Sequence, residues 1–358
     1  MTSTMPSLTP VKPSRILVIK LRHHGDMLLI SPVISALKLY SPQAEIDVLL
    51  YEETRDMLAA NSEISQIHGI DRHWKKQGKR HQLQQEWQLL RTLRHRHYDI
   101  VINLADQWRS ALITAFTGAP VRIGFDFPKR RHPFWRWCHT QLASTATHQK
   151  QHTVEQNLSI LAPLGVNTQD IPVTMGYTQE DWQACQQLLP AEVLGNYVVI
   201  QPTSRWFFKC WREENMSQVV NQLSQMGKHV ILTSGPEAKE IKMTENILAG
   251  CPTAQVTSLA GKITLRQLAA LIDHAQLFIG VDSVPMHMAA ALKTPLIALF
   301  GPSKLVFWRP WQAQGEVLWA GDYGSLPDPD DIDTHTQERY LDLIPVENVI
   351  AAAKRLLP

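Results

Sequence analysis

The stretch 277–287 reads Leu-Phe-Ile-Gly-Val-Asp-Ser-Val-Pro-Met-His, an apolar run that changes into a helical pattern. It predicts a strand over 277–281 that delivers Asp282 and Ser283 to the start of a following helix. The N-terminus of a helix carries partial positive charge and free N–H groups, both of which attract anions. We therefore expect this end of the strand to hold a polar, phosphate-bearing ligand.

The same alternation of strand and helix extends through most of the chain. In the first half the pattern predicts strands over 15–21, 45–50, 64–70, 99–104 and 121–125, with helices over 28–40, 82–93 and 110–117. A polar interval at 127–151 and a helix near 154–164 come next. The second half predicts strands over 197–201, 229–233, 254–258, 277–281 and 295–300, with helices near 213–226, 237–248, 265–274 and 285–292. Strands that are apolar throughout are typical of parallel sheets covered on both faces.

The fold class that follows is α/β, with two Rossmann-like domains whose parallel sheets face a central cleft. We place the first domain at 1–178 and the second at 179–345, and we expect the terminal helix in 346–358 to pack back toward the first domain. A chain of 358 residues favours two domains. Ligands of such sheets bind at the carboxyl ends of the strands.

Composition excludes several classes of protein. The net charge of +2 is too balanced for a dedicated nucleic-acid binder, although 72–97 and 129–137 are locally basic. The four cysteines lack CxxC spacing, which argues for a reduced compartment without disulfides or zinc. The segment 1–14 lacks a signal-peptide pattern, and no apolar run reaches the roughly 18 residues of a membrane span. We expect a cytoplasmic protein, at most peripheral to a membrane.

The first strand–helix unit carries a candidate acid. Residues 16–29 read Ile-Leu-Val-Ile-Lys-Leu-Arg-His-His-Gly-Asp-Met-Leu-Leu, with Gly25 alone and therefore no dinucleotide-binding GxGxxG spacing. Asp26 stands at the start of the helix at the carboxyl edge of the sheet. It suits either a helix cap or a general base that accepts a proton from an attacking hydroxyl.

Three further candidates lie in the second half. The loop 203–211, Thr-Ser-Arg-Trp-Phe-Phe-Lys-Cys-Trp, offers hydroxyls and Lys209 to a diphosphate, or is a surface loop whose aromatic residues anchor it in the core. Glu237 begins a helix and is either a cap or a ligand contact. His287 lies on the helix after Asp282 and either packs in the core or points into the site.

The sequence predicts no metal site. The pairs of histidines lack a third ligand at metal spacing. The acidic segment 322–342 favours a solvated loop over an Asp-x-Asp metal site, because its prolines and aspartates offer no rigid strand end.

Five motifs in this order resemble the lipopolysaccharide heptosyltransferases, most closely the branch that adds the third heptose of the inner core. They are Ile-Lys-Leu-Arg-x-x-Gly-Asp, Pro-Thr-Ser-Arg…Lys-Cys-Trp, Ser-Gly-Pro-Glu, Gly-Val-Asp-Ser…His and Leu-Phe-Gly-Pro-Ser. The resemblance covers nearly the whole chain. The chain departs from it at Val284, where the family pattern often has glycine.

The resemblance implies a GT-B fold with the acceptor on the first domain and ADP-heptose mainly on the second. It implies an inverting, metal-free transfer of heptose from ADP-L-glycero-D-manno-heptose to a heptose of the inner core. Asp26 matches the catalytic base. The residues that match the donor site are Thr203, Ser204, Lys209, Glu237, Asp282, Ser283 and His287.

The acceptor implied by this family is a phosphorylated glycolipid of the inner membrane. The basic residues expected to contact it, or the cytoplasmic membrane face, are Arg22, Lys129, Arg130 and Arg131. Three alternatives stay open: another acceptor for the same donor, a nucleotide-sugar epimerase with the same two-domain cleft, and a non-catalytic lipopolysaccharide-binding or membrane-binding module.

Overall fold

Two parallel six-stranded sheets form the framework of the molecule. The computed structural model describes residues 12–358, so most of the segment 1–14 and the start of the domain predicted at 1–178 lie outside it. The first sheet contains β1 (Arg15–Ile19), β2 (Glu45–Tyr51), β3 (Gln66–Ile70), β4 (Ile100–Asn103), β5 (Val121–Phe125) and β6 (Gln141–Ala143). The second contains β7 (Tyr197–Gln201), β8 (His229–Leu232), β9 (Val256–Ser258), β10 (Leu277–Val281), β11 (Leu296–Phe300) and β12 (Gly315–Trp319).

Helices cover both faces of each sheet. Those of the first half are α1 (His24–Leu28), α2 (Ser31–Tyr40), α3 (Lys79–His95), α4 (Trp108–Phe116), α5 (Pro133–Cys138) and α6 (Thr153–Leu158). Those of the second half are α7 (Gln179–Gln187), α8 (Glu213–Gln225), α9 (Ala238–Ala249), α10 (Leu265–Asp273), α11 (Val284–Leu292), α12 (Leu305–Trp308) and α13 (Val346–Leu356).

The strand order explains where a site forms. The first sheet runs β3-β2-β1-β4-β5-β6 and the second β12-β11-β10-β7-β8-β9, so both have the Rossmann order. In each sheet the chain reverses direction across the sheet between two central strands, β1 and β4 or β7 and β10. Ile19 pairs with Asn103, and Gly280 pairs with Gln201, at the carboxyl ends of these strands. The loops that follow therefore lie at the two switch points.

The strands are buried because their side chains are apolar on both faces. Every residue of β7, β10 and β11 is buried, as are four of the five residues of β1. One apolar cluster includes residues of both halves, such as Met27 and Met286. The halves are thus packed on one another as well as linked by the chain.

The structure corrects the predicted helix over 28–40. Two helices, α1 and α2, occupy this region. Pro32 lies in the first turn of α2, where the missing N–H of proline costs no hydrogen bond, because amides of the first turn have no partner within the helix. Two short strands, β6 and β12, were not predicted.

The expected packing of the terminal helix toward the first half is wrong. Helix α13 packs on α8, β11 and β12 of the second half, where the small side chains Ala352 and Ala353 are buried beside Val349. Arg355 also pairs with Glu316 of β12 at 2.8 Å. The domain boundary placed at residue 178 stays a prediction.

Candidate active site

A cavity of about 530 Å³ lies between the halves, at the carboxyl ends of β1 and β4. The first half contributes most of its lining, including Lys20, Asp26 and Asp106. The second half contributes Phe307 and Trp308 of α12. The cavity therefore combines polar groups of one half with an apolar wall from the other.

Asp26 lies in the first turn of α1 and not at its cap. The N-cap residue is His23, whose side chain makes no capping hydrogen bond. Asp26 is partly buried, and no side-chain hydrogen bond to its carboxylate is found among residues 12–358. The carboxylate faces the cavity and is available to accept a proton, so the capping interpretation is the weaker of the two.

Lys20 is a buried cation beside Asp26 that the sequence analysis did not select. Its Nζ donates to Oδ1 of Asn157 at 3.2 Å. Burial lowers the pKa of Lys20, and the negative charge of Asp26 partly opposes this effect. A lysine directly after the apolar strand β1 was the signal that could have identified it.

The buried residue Asp106 contacts three of the four basic residues that were predicted to bind the acceptor or the membrane. It accepts a hydrogen bond from Arg22 at 3.1 Å and is paired with Lys129, while its backbone carbonyl accepts from Nε of Arg130 at 2.6 Å. Burial would raise the pKa of Asp106, but Lys129 and Arg22 outweigh it and hold that pKa below its ordinary value. Arg131 is exposed and joins none of these contacts.

On the donor side, Lys209 and Asp282 form a largely buried ion pair at 2.6 Å. The hydroxyl of Ser303 donates to Oδ2 of Asp282 at 2.5 Å. Ser204 donates to the backbone carbonyl of Asp282 at 3.4 Å. The two motifs that the sequence analysis singled out, the 203–211 loop and the end of β10, thus meet in space. Ser303 follows β11 and was not selected.

Thr203 is bonded within the protein, and Glu237 lies at the start of a helix, where the sequence placed it. Thr203 is buried and donates to Oε2 of Glu240 at 2.6 Å, and Glu240 also accepts from the amide of Gly235 at 3.2 Å. Glu237 is exposed at the N-cap of α9, with no capping hydrogen bond. The acid that Thr203 and the amide of Gly235 contact is therefore Glu240, three residues after Glu237.

Ser283 is the N-cap of α11, but its side chain does not cap the helix. Its hydroxyl instead donates to the carbonyl of Val281 at 3.2 Å. Amides of the first turn thereby remain open to a ligand, with the exception of Pro285, which has none. A helix N-terminus with open amides beside the largely buried Lys209 is the type of arrangement that can hold an anion.

The helix that carries Asp26 packs directly on α11. A Cβ added to Gly25 would lie 3.7 Å from Cγ2 of Val284 and 3.8 Å from Cδ2 of His287. Val284, the residue that departs from the family pattern, thus fills the contact between the halves. His287 is buried, and burial lowers its pKa to about 4. Its Nδ1 has no hydrogen-bond partner in the part of the chain that the structure describes.

Residues 12–358 contain neither a candidate membrane span nor a candidate metal site. No helix in that range combines the length and apolar character that a membrane span requires. In the same range no three His, Cys, Asp or Glu side chains are grouped so that they could hold a metal ion.

Comparison with known proteins shows the family to which the chain belongs. The family model of glycosyltransferase family 9 (heptosyltransferase) matches residues 86–337. Lipopolysaccharide heptosyltransferase 3 of Escherichia coli is 45% identical over 339 residues, which are 94% of this chain and 98% of that protein.

Solved structures show the same architecture. The glycosyltransferase family 9 protein of Veillonella parvula superposes with a TM-score of 0.83 at 25% identity, covering 96% of this chain and 97% of that one. ADP-heptose lipopolysaccharide heptosyltransferase II of Escherichia coli gives a TM-score of 0.75 at 23% identity, with 96% and 98% covered. The predicted GT-B fold is confirmed. The chain belongs to glycosyltransferase family 9, the heptosyltransferases.

Proposed function

We propose that this protein transfers heptose from ADP-L-glycero-D-manno-heptose to a heptose of the lipopolysaccharide inner core, adding the third heptose. The 45% identity to a protein named lipopolysaccharide heptosyltransferase 3 supports this choice within the family. Transfer proceeds in one displacement that inverts the anomeric centre. In this proposal no metal and no other cofactor takes part.

The packing of α1 on α11 carries the proposed mechanism, because it brings the helix of Asp26 against the helix proposed to bind the donor. An acceptor hydroxyl attacks the anomeric carbon while its proton passes to the Asp26 carboxylate. The new bond joins the acceptor oxygen to the sugar, and the bond from the sugar to the diphosphate breaks. The electron pair of that bond leaves with ADP.

The departing diphosphate carries the charge that the donor side stabilises. In this proposal Lys209 and Ser204 contact its oxygens, and the amide of Ser283 adds the positive end of α11, which is supported by the meeting of the 203–211 loop with the end of β10. A diphosphate competes with Asp282 for the ammonium of Lys209. The proposed donor site also includes Thr203, Glu237 and His287.

The acceptor in this proposal is a phosphorylated core glycolipid held at the cytoplasmic face of the inner membrane. Arg22, Lys129, Arg130 and Arg131 would contact its phosphates or the membrane surface. The protein would then work in the cytoplasm as a peripheral membrane enzyme, without a nucleic-acid partner.

Asp26→Asn tests the proposal because it keeps the shape of the side chain and removes its basicity. We expect transfer to fall roughly 10²–10⁴-fold, while calorimetry shows unchanged affinity for ADP-heptose. Asp331→Asn, which alters an exposed acid of the 322–342 segment, should leave transfer unchanged.

Two outcomes would contradict the proposal. Retained transfer in Asp26→Asn would remove Asp26 from the chemistry. Conversion of ADP-heptose to another sugar in the absence of acceptor would indicate an epimerase.

A further inference from the structure

Exposed apolar side chains are concentrated on three helices of the first half. Among residues 12–358, eleven large hydrophobic residues are well exposed, and five of them lie on α3, α4 and α5. They are Leu83, Trp87, Trp108, Leu112 and Trp137, with Trp87 56% and Trp137 66% exposed. Single exposed apolar residues are ordinary, whereas a contiguous group marks an interaction site.

These side chains form one continuous surface, which we name the α3–α5 ridge. Trp137 stacks on Phe134 with ring centres 5.6 Å apart, and Phe134 lies 6.0 Å from Trp108. On α4, Trp108, Leu112 and Phe116 are spaced four residues apart and share a face. The ring of Phe116 then meets Trp87 of α3 at 5.8 Å. Helix α4 thus joins the two basic stretches at 72–97 and 129–137 into one ridge.

Cations accompany the ridge along its length. The guanidinium of Arg130 lies 5.1 Å from the centre of the Trp108 ring, and that of Arg94 lies 5.8 Å from the Phe116 ring. Arg91 lines a surface groove with Trp87. One acid on α3, Glu86, is already paired with Arg109 at 3.1 Å. Tryptophan beside arginine is the composition of a surface that enters the headgroup layer of an anionic bilayer.

The ridge begins at the edge of the candidate active site. Trp108 contacts the buried Trp135 at 5.8 Å, and Trp135 contacts Phe127, which lines the cavity, at 6.2 Å. Arg130, which covers Trp108, also donates to the backbone of Asp106 at 2.6 Å. A bilayer lying on the ridge would therefore lie next to the opening of the cavity.

We propose that the α3–α5 ridge binds the surface of a bilayer that contains anionic lipid and holds the first half against it. The inference rests on the proposed function, because only an acceptor anchored in a membrane gives this placement a purpose. The inference identifies which surface of the protein contacts the membrane.

The test compares the wild type with Trp87→Ser/Leu112→Ser/Trp137→Ser. The matched control is Leu39→Ser, since Leu39 is 73% exposed on α2, outside the ridge. Co-sedimentation uses vesicles of phosphatidylcholine alone and vesicles that also contain phosphatidylglycerol. We expect the wild type and the control to bind the anionic vesicles. The triple variant should bind them with an affinity that is roughly tenfold lower, or lower still.

Activity separates this inference from the proposed function. With a water-soluble core oligosaccharide as acceptor, the triple variant should transfer heptose at the wild-type rate, and with acceptor embedded in vesicles its rate should fall. Unchanged vesicle binding by the triple variant would overturn the inference, as would size-exclusion data showing that the ridge holds two copies of the chain together. Loss of transfer to the soluble acceptor would also count against it. Wild-type failure on both acceptors would refute the proposed function instead.

Discussion

The cation predicted to bind diphosphate is already paired in the resting site. Lys209 and Asp282 are both largely buried, and Ser303 holds the same carboxylate oxygen at 2.5 Å. Removing one partner of such a pair leaves the other charge buried and uncompensated. In the proposed function, a diphosphate would compete with the Asp282 carboxylate for the ammonium of Lys209.

Lys209→Ala should weaken ADP binding about 10- to 100-fold, since a hydrogen bond to a charged group contributes about 1.5–3 kcal/mol. Lys209→Arg retains the charge and should recover part of the affinity. Isothermal calorimetry with ADP measures both, and Lys354→Ala on α13, an exposed lysine, is the control. Equal ADP affinity and equal turnover in Lys209→Ala and the wild type would refute the role assigned to Lys209.

At the scale of elements, α6 links the two halves through its cap. Nδ1 of His152, the N-cap residue, accepts from the amide of Val154 at 3.1 Å, and Glu155 completes a capping box. Nε2 of the same ring is 2.8 Å from the carbonyl of Arg309 in the second half, and the ring lies on Trp311. The neutral tautomer with hydrogen on Nε2 serves both bonds.

His152→Asn should separate these two contributions. Asparagine caps a helix but is too short to reach Arg309, so we expect a loss of about 1 kcal/mol in the free energy of unfolding. His152→Ala loses the cap as well and should cost about 1 kcal/mol more. Urea denaturation followed by circular dichroism measures both variants. Identical destabilisation by the two substitutions would show that the cap contributes nothing.

The sequence predicts the central strands better than the edge strands, for a physical reason. The bounds of β7 and β10 match the predicted ones because both strands are buried throughout, so an apolar run ends where the strand ends. At the sheet edges, β6 has only three residues, and the five residues of β12 are exposed or partly buried, so the apolar signal is short. Such strands form because a neighbour offers hydrogen bonds.

The residues of the candidate site also divide into those that the sequence identifies and those that it does not. Asp282 was visible because it directly follows the apolar strand β10, and Asp26 and Lys209 because they lie in the polar segments that follow β1 and β7. Asp106 and Glu240 were missed because their importance depends on partners distant in sequence, such as Lys129 for Asp106. The spacing of residues along the chain does not show which distant side chains come into contact.

At the scale of the whole molecule, buried neutral histidines occur in both halves. Burial lowers the pKa to about 4 for His139, His152 and His287. His139 is held by Asn103 at 3.0 Å and by the carbonyl of Trp135 at 2.8 Å. In the unfolded chain each ring titrates near 6.5.

The folded protein should therefore lose stability in acid. A histidine whose pKa is lower in the folded state contributes stability that is fully present above about 6.5, the unfolded value. That stability is lost as the pH falls toward 4, because only the unfolded state takes up the proton. In this window, each ring lowers the free energy of unfolding by at most about 1.4 kcal/mol for every pH unit that the pH falls. Urea denaturation at pH 7.5 and 5.5 checks this, and equal free energies of unfolding at the two values would contradict it.

Helix α1, which carries Asp26, and helix α11 belong to different halves and pack on one another. In the proposed function, neither half is sufficient by itself, because the first half supplies the proton acceptor and the second half supplies the donor. A single half that bound the nucleotide sugar would therefore have no base beside it to activate water against the sugar.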